Sequence, residues 1–151
     1  MASPRDVAIL LVEDNPDHKE LILDALRECC DPARIMTASD GVEALDYLLA
    51  RGSHEGRDVR KQPRLVILDM MLPRVDGVGV LKAMRENPYT EWVPVVMLSA
   101  VKDKAELDSC YEAGANSVVR KSSDWDELRR KMRQVHDFWL TVNESNRNSR
   151  V

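Results

Sequence analysis

The chain is poor in aromatic residues, with one Phe, three Trp and three Tyr among 151 residues. It has three cysteines, Cys29, Cys30 and Cys110, and their spacing suits no metal. An odd count without a pairing pattern argues against a disulfide framework and for free thiols, mostly buried as small apolar groups. No apolar run approaches the ~20 residues that a membrane span needs. The opening MASPRD lacks the apolar stretch of a secretory signal, so the expected location is cytoplasmic, with no membrane partner. Lysine and arginine are scattered and the net charge is −4, so the basic footprint of a nucleic-acid binder is missing as well. Internal repeats and low-complexity segments are also lacking. What remains is 44% hydrophobic and 32% charged residues, the composition of one globular domain with a real core.

Two apolar patterns alternate along that domain. VAILLV (7–12), RIMTA (34–38), LVILDM (65–70), VPVVML (93–98) and SVVR (117–120) are short continuous runs, as expected of strands covered on both faces. Between them apolar residues recur at helical spacing: Leu21, Ile22, Ala25, Leu26 and Cys29; Val42, Leu45, Leu48 and Leu49; Val78, Leu81 and Met84; and, more weakly, Ala105, Leu107, Cys110 and Tyr111. A fifth stripe starts at Trp125. Helix starts are marked by Asp14 or Asn15 before Pro16, by Asp40 with Glu43, by Asp103 with Glu106, and by Ser123 and Asp124 before Asp126 and Glu127. Strand and helix alternate five times, which predicts an α/β fold: a doubly wound, five-stranded parallel sheet. The polar stretch 51–63 is long for a connection and is expected to be an exposed, mobile loop. The domain is expected over 6–143, with flexible termini at 1–5 and 144–151 and no output domain attached.

Open α/β sheets bind ligands beyond the carboxyl ends of their strands. Glu13 and Asp14 follow the first run, Asp69 ends the third, Ser99 follows the fourth and Lys121 the fifth. Singly, each has an ordinary explanation as a cap or loop residue. Together, three carboxylates at one rim repel unless a cation joins them. A hard divalent ion with oxygen ligands, Mg²⁺, resolves the conflict, and a neighbouring ammonium would pair with an added anion such as a phosphoryl group.

LVEDN, LDMMLPRVDG, LSA and the lysine of VRKSS resemble the signature of the response-regulator receiver domain of two-component signalling, over about residues 6 to 142. The resemblance implies the flavodoxin-like strand order 2-1-3-4-5. It implies that Asp69 accepts a phosphoryl group from the phosphohistidine of a histidine kinase. Asp14, Glu13 (through water), Asp69 and the backbone carbonyl of Met71 would hold Mg²⁺, while Ser99 and Lys121 would bind phosphoryl oxygens and serve the switch. Such a domain is a phosphoacceptor and not a turnover enzyme.

The chain departs from the family in three places. Val118 stands where many receivers have an aromatic, three residues before the lysine, so the usual ring rotation has no ring. Ser122 replaces the proline that often follows the lysine, and a cis bond before serine would cost about 2.5–4 kcal/mol, so a trans bond is expected. Met71 and Val101, each two residues past a site residue, are apolar where the family tunes the attack of water, which predicts slow self-hydrolysis.

The fifth stripe runs Trp125, Leu128, Met132, Val135, Trp139, Val142, one face of an extended last helix. At 100° per residue Phe138 widens that face and Leu140 falls off it. The long loop, KS in place of KP and the terminal FWL resemble phytochrome-associated single-domain regulators. That resemblance implies a phytochrome photoreceptor kinase as donor and a homodimer through the last helix, with Phe138, Trp139, Leu140 and Val142 as contact candidates. The alternatives are a phosphate sink or shuttle for another kinase, a binding module with vestigial phosphorylation, and an aspartate-based phosphatase. The phosphatase would need a second Asp where Met71 stands.

Overall fold

The computed structural model describes residues 6–100 and 103–145. Five parallel strands, β1 (Ile9–Val12), β2 (Ile35–Ala38), β3 (Leu65–Asp69), β4 (Val95–Ser99) and β5 (Ser117–Arg120), form one sheet in the order β2-β1-β3-β4-β5. This is the expected flavodoxin-like order. Helices α1 (Pro16–Arg27), α2 (Gly41–Leu48), α3 (Gly77–Arg85), α4 (Lys104–Glu112) and α5 (Trp125–Asp137) join the strands. Because strand side chains alternate between faces, Leu10 and Val12 enter one core with Leu45, Leu48, Leu81 and Met84, from α2 and α3. Ile9 and Leu11 enter the other with Ile22, Leu26, Leu128 and Met132, from α1 and α5. Both faces of the central strands are thus covered, which is why their sequences are apolar without alternation.

The registers place the strand ends at one level: Val12 pairs with Leu68, Asp69 with Leu98, and Ser99 with Arg120. Strand order reverses beside β1, so the crevice of the topological switch opens above β1 and β3. Four of the helix caps at the sheet's ends are set by acids or amides read in the sequence. Asn15 Oδ1 accepts from the N–H groups of Asp17 and His18, and Asp124 caps α5 through Asp126 and Glu127. Asp40 accepts from Glu43 N–H, while the Glu43 carboxylate reaches back one residue further than a standard capping box, to Ser39 N–H. Asp103 accepts from Ala105 N–H. Gly77 opens α3 directly beneath the third strand. A Cβ there would lie 2.3 Å from the Asp69 carbonyl oxygen, so only glycine lets the helix start this close to the rim.

Several expectations need correction. The stretch 51–63 is exposed over much of its length but tied down. Arg57 donates to the Tyr47 carbonyl at 2.8 Å and lies 4.0 Å over the Tyr47 ring, and buried Gln62 donates to the carbonyls of Leu48 and Val59. Its polarity signalled exposure, and these long side chains reaching back to α2 carry no sequence period. On α4 only Cys110 is buried, and Leu107 and Tyr111 face outward. Trp125, placed on the core stripe by spacing, is 54% exposed in the first turn of α5.

Beyond Asp137 the chain widens into a π-helical turn, Phe138–Val142, closed by Asn143 N–H on the Phe138 carbonyl at 2.7 Å. A wider turn breaks the 100° extrapolation. Trp139 and Leu140 both pack against the core shared with α1, so Leu140, expected off the stripe, belongs to it. Phe138 and Val142 are the residues left outward, 48% and 65% exposed. Of the flexible ends expected at 1–5 and 144–151, residues 1–5 and 146–151 lie outside the described residues, as does Val101.

Candidate functional site

The rim residues meet where the registers bring them. Asp69 ends β3 and is buried. Lys121 follows β5, and its backbone N–H donates to the Ser99 carbonyl at 2.7 Å, tying the two strand ends together. From there its ammonium, on a side chain only 10% exposed, donates to Asp69 Oδ2 at 2.9 Å and Glu13 Oε1 at 2.8 Å. Ser99 is buried at the end of β4, beside the strand that ends in Asp69. Asp69 Oδ1 accepts from Met71 N–H at 3.3 Å, and the Met71 side chain is exposed. Asp14 is exposed at the mouth. Carboxylate oxygens of Glu13, Asp14 and Asp69 all lie within 4.8 Å of one another. The Lys121–Ser122 bond is trans, as expected, since no described peptide bond is cis.

The electrostatics of Glu13 follow from its place. Its side chain is fully buried, Oε1 receives Lys121, and Oε2 has no hydrogen-bond partner. Burial first, and then the neighbouring Asp69 carboxylate, push its pKa from 4.5 to about 8, against the opposing pull of Lys121. Burial also lowers the affinity of Lys121 for its proton, but its bonds to Glu13 and Asp69 outweigh that and hold its pKa above the ordinary lysine value. A buried acid with one unpartnered oxygen beside a second carboxylate is a half-satisfied arrangement. A divalent cation fits it: a hard ion accepts carboxylate oxygens and removes the reason for the proton.

The sequence reading missed one residue here. His18, in the first turn of α1, places Nδ1 3.1 Å from Glu13 Oε1 and 3.2 Å from Lys121 Nζ. Its only sequence signal is its place three residues after the Asn15 cap, where a side chain points back over the helix N-terminus. A second cluster, Cys29, His136 and Asp137, joins the ends of α1 and α5. It is satisfied internally: His136 Nδ1 lies 2.9 Å from Asp137 Oδ1, and the Cys29 thiol, pushed up by burial, donates to carbonyls of its own helix.

At Val118, where the family often has its switching aromatic, the backbone N–H donates to the Tyr111 hydroxyl at 3.3 Å. An α4 tyrosine therefore caps this position of the edge strand from outside.

A doubly wound sheet with acids, a hydroxyl and a lysine at this crevice defines a receiver, and residues 9–133 match the response regulator receiver domain family, to which the chain belongs. It is a response regulator of two-component signalling. In sequence it is 37% identical over 137 residues (91% of this chain, 86% of the relative) to the "Probable methanogenesis regulatory protein FilR2" of Methanothrix harundinacea. It is 30% identical over 132 residues (87% of this chain, 88% of the relative) to response regulator Rcp1 of a Synechocystis species. The Mn²⁺-bound structure of Rcp1 superposes with a TM-score of 0.83, covering 92% of this chain and 98% of Rcp1. The phosphorylated cyanobacterial phytochrome response regulator RcpA superposes with a TM-score of 0.86 at 30% identity, covering 93% of this chain and 99% of RcpA. The chain is thus related to phytochrome response regulators. No helix among the described residues is long and apolar enough to cross a membrane.

Proposed function

We propose that Asp69 accepts a phosphoryl group from the phosphohistidine of a phytochrome-type histidine kinase, with Mg²⁺ bound by Glu13, Asp14, Asp69 and the Met71 carbonyl. The observation that carries this reading is the Lys121 ammonium bonded to both Asp69 and Glu13, beside a buried Glu13 oxygen with no donor. Phosphoryl transfer needs positioning and charge neutralisation more than covalent help. An Asp69 oxygen forms the new bond to phosphorus as the bond to the imidazole nitrogen breaks, giving an acyl phosphate. Lys121, already in place, offsets charge on the phosphoryl oxygens, and Ser99 donates its hydroxyl to another. Mg²⁺, when bound, supplies the remaining neutralisation. The added negative charge then draws Ser99 and its loop, biasing the surface formed by α4 and β5. The relatives' association with phytochromes and the Mn²⁺ bound by Rcp1 support donor and ion. Met71, where a phosphatase would carry its acid–base carboxyl, argues against turnover chemistry.

The test is phosphotransfer from a set of autophosphorylated histidine kinases that includes a phytochrome kinase. Transfer is expected to be fastest from the phytochrome kinase. Faster transfer from an unrelated kinase would remove the phytochrome assignment and leave the phosphoacceptor role.

Two further expectations concern lifetime and assembly. Exposed, apolar Met71 offers no group to orient water, so the acyl phosphate is expected to outlive that of a Met71→Asn variant several-fold. Equal half-lives after removal of excess donor would show that Met71 does not screen the site. With Trp139 and Leu140 committed to the core, the proposed homodimer has Phe138 and Val142 as its outward apolar contacts. Phe138→Glu with Val142→Glu is expected to run as a monomer in light scattering while still labelling at Asp69, and a wild-type monomer at high concentration would end the dimer proposal.

A further inference from the structure

Val118 has no ring of its own, yet a ring reaches it. β5 is an edge strand, and its Val118 N–H donates to the hydroxyl of Tyr111, which hangs from α4. A backbone N–H can only donate, so the phenolic oxygen is the acceptor whichever way its own proton turns. The bond is long, at 3.3 Å, and the tyrosine is 48% exposed.

The preceding residue of α4 faces inward. Cys110 is the one buried residue of this helix, and its thiol donates to the Met70 thioether at 3.4 Å. Met70 directly follows Asp69, and its backbone N–H and carbonyl are bonded to Leu98 and Gly77. Adjacent residues of α4 thus touch the chain beside Asp69 and the outer strand. Leu107, one turn earlier, faces outward and buries little. A helix that buries a single side chain is among the elements most easily displaced. Ser99 leads along the chain into α4. A pull on Ser99 by an added negative charge therefore falls on this helix, and the long bond to Val118 yields before the buried contact of Cys110.

We propose that the Tyr111 hydroxyl on Val118 N–H is a latch that holds α4 against the edge strand, and that phosphoryl acceptance at Asp69 releases it. The bond favours the unphosphorylated arrangement. With a phosphoryl group on Asp69 the helix shifts, and Val118 N–H is left to water. A side chain of α4 thereby does the coupling for which Val118 has no ring. By linkage, removing the latch also favours the phosphorylated arrangement, because whatever releases the helix strengthens binding of the group that releases it. This inference rests on the phosphoacceptor reading above.

The experiment follows amide exchange by ¹⁵N NMR in wild type and Tyr111→Phe, each free and saturated with Mg²⁺ and beryllofluoride, an analogue of the phosphoryl group. The affinity of both proteins for beryllofluoride is titrated at saturating Mg²⁺. Among the free proteins, the Val118 amide is expected to exchange about threefold faster in Tyr111→Phe, the scale of one lost hydrogen bond. Beryllofluoride is expected to speed the same amide by a similar factor in wild type and to leave it unchanged in Tyr111→Phe. Tyr111→Phe is expected to bind beryllofluoride about threefold more tightly, which a merely structural hydroxyl would not cause. Equal exchange in the two free proteins, a wild-type Val118 amide that ignores beryllofluoride, or equal affinities would each overturn the latch. If wild type neither binds beryllofluoride nor is labelled by acetyl phosphate, the phosphoacceptor reading fails and the coupling with it, while exchange in the free proteins still decides the bond between Tyr111 and Val118.

Discussion

Asp69→Asn is expected to abolish labelling: wild-type protein treated with acetyl phosphate and Mg²⁺ gains about 80 Da, one phosphoryl unit, and the variant gains nothing. The amide lacks the anionic oxygen that attacks phosphorus, so the loss should exceed roughly 10³-fold, as for removal of other nucleophiles. Misfolding would give the same silence, and the surroundings of Asp69 separate the two. Oδ2 receives Lys121 at 2.9 Å, whereas Oδ1 receives Met71 N–H at the long distance of 3.3 Å. An asparagine has one carbonyl oxygen and turns it to the charged donor, giving up the weaker bond. It also removes the carboxylate that crowds Glu13. Without Mg²⁺ and above pH 7, the thermal midpoint of Asp69→Asn should therefore equal or exceed that of wild type. Labelling of the variant at the wild-type level by mass spectrometry would place the phosphoacceptor elsewhere.

The rim was legible in the sequence because it is built at strand ends. Each apolar run stops where its strand stops, so Glu13, Asp14, Asp69, Ser99 and Lys121 could be placed at one edge from strand boundaries alone, and the registers bring them there. The central strands were legible because burial on both faces makes them continuous apolar runs. What could not be read depends on partners far along the chain. His18 and Lys121 are 103 residues apart, and no periodicity links an imidazole to an ammonium across the sheet. The π-helical turn at Phe138 escaped for the same reason. A fixed angular step holds only while the helix stays regular, and here Trp139 and Leu140 both turn to the core shared with α1. The loop 51–63 reads as free chain by composition, yet Arg57 and Gln62 bind backbone carbonyls of α2 and its end. The repulsion among the acids was anticipated; which of them carries the proton depends on the complete burial of Glu13.

That proton makes stability depend on pH in a direction opposite to the usual carboxylate. Glu13 holds its proton up to about pH 8 in the fold, against an ordinary value of 4.5. Between those values the native state binds more protons than the unfolded chain, so stability falls as pH rises through the window. Without Mg²⁺ the loss from pH 5 to pH 8 should approach roughly 3 kcal/mol, or about 6–12 °C in the midpoint for a domain of this size. Glu13→Gln keeps an acceptor for Lys121 and cannot ionise, so its midpoint should stay nearly flat over the same range and exceed that of wild type at pH 8. Mg²⁺ reverses the order. A cation needs the ionised acid, so its affinity for wild type should climb toward tenfold per pH unit across the window, and its binding should restore the lost stability by mass action. For Glu13→Gln, whose remaining ligands Asp14 and Asp69 are untouched, the gain from Mg²⁺ should vary little with pH over the same window. Thermal melts at pH 5, 6.5 and 8, with and without Mg²⁺, read all of these at once. A wild-type midpoint that rises from pH 5 to pH 8 without Mg²⁺, or a Glu13→Gln slope equal to that of wild type, would mean that Glu13 is ionised in the fold and that Lys121 alone balances the site.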